Sequence, residues 1–168
     1  VAWQVSAAGA LGVKCINAGG SAAFKADVRS FGFDDEVPGY GLSSRRIVKA
    51  LQDSVQRLGI AHPLHVHCNN LGVPGDGEAA AEATMIAAEG VPMHLAHIQF
   101  YGYGTDGRRG FSSLARRLAD LVNARPELTV DIGQVMFGQT VTVSSDELRQ
   151  FAGRPLAEIR ATRSEEHT

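Results

Sequence analysis

Cysteine is scarce in this chain, with only Cys15 and Cys68 among 168 residues. That excludes a disulfide framework and predicts a reducing, cytoplasmic setting. No apolar run approaches the ~18–20 residues of a membrane span. Val1 is not followed by a charged, then apolar, then small-residue leader, so neither membrane insertion nor secretion is expected. An excess of one charge is also lacking: 16 basic and 18 acidic side chains leave a formal net charge of -2. Without a Lys/Arg block there is no electrostatic footprint for nucleic acid, and a small molecule is the expected partner.

What is present is an ordinary globular composition, 44% hydrophobic and 20% charged. The ends stand apart from it. The opening Val1-Ala-Trp-Gln-Val5 reads as the last turns of a helix, and Arg163-Ser-Glu-Glu-His-Thr168 reads like the in-frame translation of a sequencing adapter. The latter is set aside, His167 with it, and residues 1–162 read as an internal stretch of a longer protein.

Within that stretch, Ala10 to Asn17 is apolar and β-branched at two positions and predicts a buried strand. The long Gly- and Phe-rich connection from Asn17 to Leu42 is of a length that is usually functional. Ser43 or Ser44 then caps a helix marked by Ile47, Val48, Leu51, Val55 and Leu58 and stopped by Gly59. Strands are predicted over Pro63–Cys68, Met93–Gln99 and Leu128–Met136. Between them lie an alanine-rich helix, Glu78–Glu89, and one marked by Phe111, Leu114, Leu118, Leu121 and Val122. A capping box, Ser144 with Glu147, starts a last helix.

Strands alternating with helices predict the α/β class and a parallel sheet. No G-x-G-x-x-G follows any strand, and unusual polar residues stand at the carboxyl ends of several successive strands. That pattern favours a (β/α)8 barrel over a doubly wound sheet. Because a whole barrel takes ~250 residues, the expected fold is a partial barrel of about four central βα units.

The polar residues at the strand ends carry the chemistry. In Leu64-His-Val-His-Cys-Asn-Asn70, residues two apart share a face, so His65 and His67 point the same way, with His67 nearer the mouth. Imidazole is the commonest metal ligand; the alternative is a pair of hydrogen-bonded core histidines. In Met93-His-Leu-Ala-His-Ile-Gln99, unbroken alternation puts His97 and Gln99 on one face and His94 on the other. That makes His97 the better ligand and leaves His94 to pack against helices or a carbonyl. Lys14, inside an apolar strand, is costly to bury charged. It can act as a neutral amine, become a carbamate that bridges metals, or pair with a carboxylate. Cys15 and Cys68 alternate away from this face and read as core, and Asp131 and Gln134 are weaker candidates for substrate or loop contacts.

Taken together, Val13-Lys-Cys-Ile-Asn-Ala-Gly19, Leu64-His-Val-His-Cys-Asn-Asn-Leu-Gly-Val-Pro-Gly75, His97-Ile-Gln-Phe100 and Val130-Asp-Ile-Gly-Gln-Val-Met-Phe-Gly138 resemble one branch of the metal-dependent amidohydrolases. The branch comprises the large A-type subunits of formylmethanofuran dehydrogenase and of the bacterial formyltransferase/hydrolase complex. The likeness runs from about Ala10 to Thr142 and is most specific from His65 to Gly75. It implies two zinc ions bridged by N6-carboxylated Lys14, with His67 and His97 as ligands and Asn69 and Gln134 near substrate or the metal ligands. The implied reaction interconverts an N-formyl carrier of the methanofuran type with formate and the free amine, within a hetero-oligomeric complex. In the dehydrogenase branch formate passes on to a redox subunit, and in the hydrolase branch it is released. The family's first-strand His-x-His pair and eighth-strand aspartate have no counterpart here, so the stretch alone is expected to be inactive. A dihydropyrimidinase- or dihydroorotase-like enzyme shares the lysine and histidines but leaves the loop Asn69–Gly75 unexplained. A non-catalytic scaffold subunit would have no need of Lys14, His67 and His97 together.

Overall fold

Strands and helices alternate along the chain, as the sequence pattern predicts. The computed structural model describes residues 1–28, 31–106 and 112–133. In order these form α1 (Ala2–Ser6), β1 (Lys14–Ile16), α2 (Gly20–Lys25), α3 (Ser44–Arg57), β2 (Leu64–His67), α4 (Asp76–Ala87) and β3 (Met93–Leu95). A 3-10 turn (Ile98–Tyr101), β4 (Tyr103–Gly104), β5 (Ser112–Ser113), α5 (Ala115–Asn123) and β6 (Leu128–Val130) follow. The Ser144 capping box, Gln134 and the outer half of the fourth predicted strand lie outside the described residues.

The main sheet has four strands in the order β1-β2-β3-β6, every neighbouring pair parallel. Strand order thus follows chain order without reversal. A second, two-stranded antiparallel sheet pairs β4 with β5. One face of the main sheet is closed by helices: Cys15, Leu64, Val66, Met93, Leu95 and Leu128 form a single core with Val48 and Val55 of α3, Ala81 and Met85 of α4, and Leu118 of α5. Each fully buried aliphatic side chain there contributes about 1.5–3 kcal/mol. Tyr101 is also buried in this core, and its hydroxyl donates to the Cys68 carbonyl at 2.8 Å, so the polar end of the ring is satisfied.

The opposite face carries Lys14, Ile16, His65, His67 and His94; α3, α4 and α5 pack on the other side, and Gln4 and Val5 of α1 line a cavity with Lys14 at its β1 end. Ile16, on this face, is 61% exposed. Side-chain alternation along each strand creates this split, since consecutive residues point to opposite faces.

Local details refine the sequence reading. Of the two candidate caps, Ser43 accepts from the Arg46 N–H at 3.4 Å. Ser44 lies one residue inside the helix, and its buried hydroxyl donates to the Ala18 carbonyl. Gly59, at φ 60°, stops α3 as expected. The long connection after β1 holds α2 and a small core of its own, Ala23, Phe31 and Val37. Arg45 braces it through a two-pronged ion pair with Asp34 at 2.5 and 2.9 Å while lying 5.0 Å above the Phe33 ring.

Candidate metal centre

Parallel register builds the site in rows. Lys14 pairs with His65, His65 with His94 and His94 with Thr129, so these four residues form one row across the sheet on its open face. One step nearer the carboxyl edge, Ile16 pairs with His67. The rings follow the rows: His65 lies 4.7 Å from His94 and 5.3 Å from His67, stacked on the latter, and His67 lies 4.7 Å from His97.

His97 reaches this cluster because the third strand ends early. The expected strand through Gln99 stops at Leu95, and His97 adopts φ 53°, ψ 43°, a left-handed conformation costly for a residue with a Cβ. Asp131 stabilises it. Its Oδ1 accepts the His97 backbone N–H at 2.7 Å, and its backbone carbonyl accepts from Ile98 at 3.1 Å. This corrects the expectation for His94. The left-handed residue breaks the two-residue alternation, so His94 and His97 both face the histidine cluster and His94 does not pack against helices. Its Nδ1 lies 2.8 Å from Thr129 Oγ1 and its Nε2 3.1 Å from Asp131 Oδ2. Gln99, in the 3-10 turn, exchanges two hydrogen bonds with the Gly133 backbone at 2.8 and 3.0 Å. A Cβ at Gly133 would stand 2.6 Å from His97 Nδ1, so glycine is what lets the imidazole lie there.

The electrostatics disfavour protonation of His65 and His67. Desolvation, reinforced by the charge on Lys14 and by neighbouring histidines, pulls His67 down to about 4, and His65 is lowered for the same leading reason. Asp131 is held below the usual carboxylate range, chiefly by the backbone N–H of His97. His65 Nε2, His67 Nε2 and His97 Nδ1 are buried without a hydrogen-bond partner. His97 Nδ1 does lie 3.2 Å from Asp131 Oδ1, within ion-pair reach but off the hydrogen-bonding direction. The partnerless Nε2 atoms of His65 and His67, on rings whose protonation desolvation disfavours, suit a divalent metal ion.

The residues expected to act are distributed as follows. His67 and His97 meet, and Lys14 stands on the same face. Contrary to the expectation of a buried amine, Lys14 is exposed, because α3, α4 and α5 pack on the other face. Asn69 is buried, its Nδ2 donating to Ser44 Oγ at 2.8 Å and to the Ala18 carbonyl at 3.3 Å. Cys15 and Cys68 are buried free thiols, as alternation predicts; desolvation raises both, Cys68 to about 12. Thr129 escaped the sequence reading, and Asp131 carried too little weight in it. Their two-residue spacing at a strand end was the signal that linked them to the site. His65, His94 and Asp131 offer ligand atoms all within 4.8 Å of one another.

No protein-family model matches the chain. The fold is a parallel α/β layer with histidines from adjacent strands on one face. Sequence comparison makes the chain homologous to the A subunit of a formyltransferase/hydrolase complex and to protein FwdA. It is 55% identical over 149 residues to the A-type subunit of the formyltransferase/hydrolase complex Fhc of Methylorubrum extorquens, covering 86% of this chain and 27% of that protein. It is 34% identical over 157 residues to protein FwdA of Methanocaldococcus jannaschii, covering 87% of this chain and 28% of that protein. The crystal structure of the FhcABCD complex from M. extorquens with methylofuran matches with a TM-score of 0.73 at 57% identity, over 86% of this chain and 26% of the matched chain. The chain therefore spans about a quarter of the length of the relatives it matches. No helix among the described residues is long and apolar enough to cross a membrane.

Proposed function

We propose that this chain forms the central wall of the catalytic barrel of a binuclear-zinc amidohydrolase subunit, which interconverts an N-formylated methanofuran-type carrier with formate and the free amine. The observation that carries the reading is the meeting of His67 and His97, 4.7 Å apart, on a sheet face that also bears Lys14. Support for a (β/α)8 barrel comes from strand order that follows chain order and from α3, α4 and α5 all packing on one face. A doubly wound sheet would need helices on both faces. Exposed Ile16 is an apolar residue that further barrel strands would cover.

A zinc pair, when bound, supplies polarisation of the formyl carbonyl and activation of water at neutral pH. The chain's own residues would do the following. His67, held neutral by desolvation, presents a lone pair, and His97 would be the second imidazole ligand. Lys14, which is exposed, is accessible to carbon dioxide, and as a carbamate it would offer the metals a singly charged, carboxylate-like ligand. Gln134 and the loop Asn69–Gly75 would flank the carrier, and that loop is tied down by Gly72 N–H on the Phe100 carbonyl and Gly75 N–H on the Tyr103 carbonyl, at 3.1 and 2.8 Å. Partner subunits would receive or deliver the one-carbon unit, and a reducing cytoplasmic setting fits the two free thiols.

The test is zinc content and formate release from a formylated carrier in the full-length protein with its partner subunits. Lys14→Ala should abolish both together. Wild-type zinc in that variant would contradict the bridging role.

A further inference from the structure

Asp131 touches both His94 and His97, and it lies outside the ligand set proposed above. We infer that Asp131 is a positioning residue that orients and electronically strengthens His97 as a metal ligand, with His94 and Thr129 fixing the carboxylate from behind. This rests on the metal reading of the site.

The hydrogen-bond inventory determines the direction of the relay. A carboxylate only accepts, so His94 Nε2, 3.1 Å from Asp131 Oδ2, must carry its proton. The lone pair of that tautomer is then on Nδ1, which accepts from the Thr129 hydroxyl at 2.8 Å. Both nitrogens of His94 are therefore engaged. The alternative of a metal held by His65, His94 and Asp131, whose ligand atoms lie within 4.8 Å of one another, would take one His94 nitrogen out of the hydrogen bond it now makes. It is disfavoured for that reason.

With Oδ2 held by His94, Oδ1 of Asp131 is aimed at His97. It accepts the backbone N–H at 2.7 Å, fixing the left-handed turn that swings the ring into the cluster, and it lies 3.2 Å from Nδ1. A small ring rotation completes an Nδ1–H to carboxylate hydrogen bond, leaving the Nε2 lone pair for the metal. Carboxylates behind ligating histidines fix the tautomer and raise ligand basicity, and losing one typically costs about 10- to 100-fold in metal affinity. Gly133, where a Cβ would collide with His97 Nδ1, keeps the space for this arrangement.

The experiment uses the full-length protein, with zinc and cobalt(II) titrated into metal-free samples of the wild type, Asp131→Asn, Asp131→Ala and His94→Ala. Asparagine can still accept the His97 N–H, so Asp131→Asn should keep the fold by circular dichroism and melting. It should nevertheless bind one metal about 10- to 100-fold more weakly and shift the cobalt visible spectrum, with Asp131→Ala at least as weak. Wild-type affinity and spectrum in Asp131→Asn would overturn the inference. So would clean loss of one metal equivalent in His94→Ala with the remaining affinity unchanged, because His94 would then be a ligand itself. Absence of any metal binding by the wild type would overturn the metal reading, and this inference with it.

Discussion

Replacing Asn69 by alanine separates two roles for one residue. Asn69 is buried at the end of β2, and its Nδ2 donates to Ser44 Oγ at 2.8 Å and the Ala18 carbonyl at 3.3 Å. Ser44 in turn donates to that same carbonyl. The three groups pin the start of α3 to the ends of β1 and β2. Each lost hydrogen bond costs about 0.5–1.5 kcal/mol, and Ala18 keeps the Ser44 donor, so no acceptor is left wholly bare. The expected cost is about 1–3 kcal/mol of local opening energy. Hydrogen exchange in the full-length protein reads this directly. Protection of amides in segments 15–20, 44–48 and 67–72 should fall roughly 5- to 150-fold, while distant peptides exchange as in the wild type. Ser44→Ala should lower protection over the same segments, and the double variant should cost less than the sum because the two side chains share one network. Unchanged protection together with a raised KM for the formylated carrier would refute the reasoning and make Asn69 a substrate contact.

Two further outcomes are expected. Cys15 and Cys68, with thiols raised by desolvation, Cys68 to about 12, should resist alkylation at pH 8 in the folded protein and react once denatured; peptide mapping that finds native-state labelling at Cys68 would contradict its burial. In metal-free protein, His67 is lowered from 6.5 to about 4, so between these values the unfolded chain binds the extra proton and folding is penalised. The contribution of neutral His67 is complete above pH 6.5 and is lost as pH falls towards 4. Melting temperatures of His67→Gln should therefore fall less steeply across that window than those of the wild type, and parallel profiles would rule the linkage out.

The amino-acid pattern alone determined the alternation of the main strands and helices and the faces of α3 and β2. A helical period in Ile47, Val48, Leu51 and Val55 specified α3, and two-residue alternation in Leu64-His-Val-His67 specified which side of β2 carries imidazole. These are local signals, because side-chain direction follows from the backbone repeat of a few neighbours. The motif around His65–Gly75 likewise carried the family likeness without any coordinates. The tertiary structure decided where the third strand ends. The left-handed turn at His97 depends on a carboxylate 34 residues further on, Asp131, accepting its N–H, and no local repeat encodes a partner so distant. That one contact reversed the assignment of His94, made Thr129 and Asp131 part of the site, and brought His97 against His67. It did so because a single residue at positive φ breaks the alternation on which the sequence reading relied.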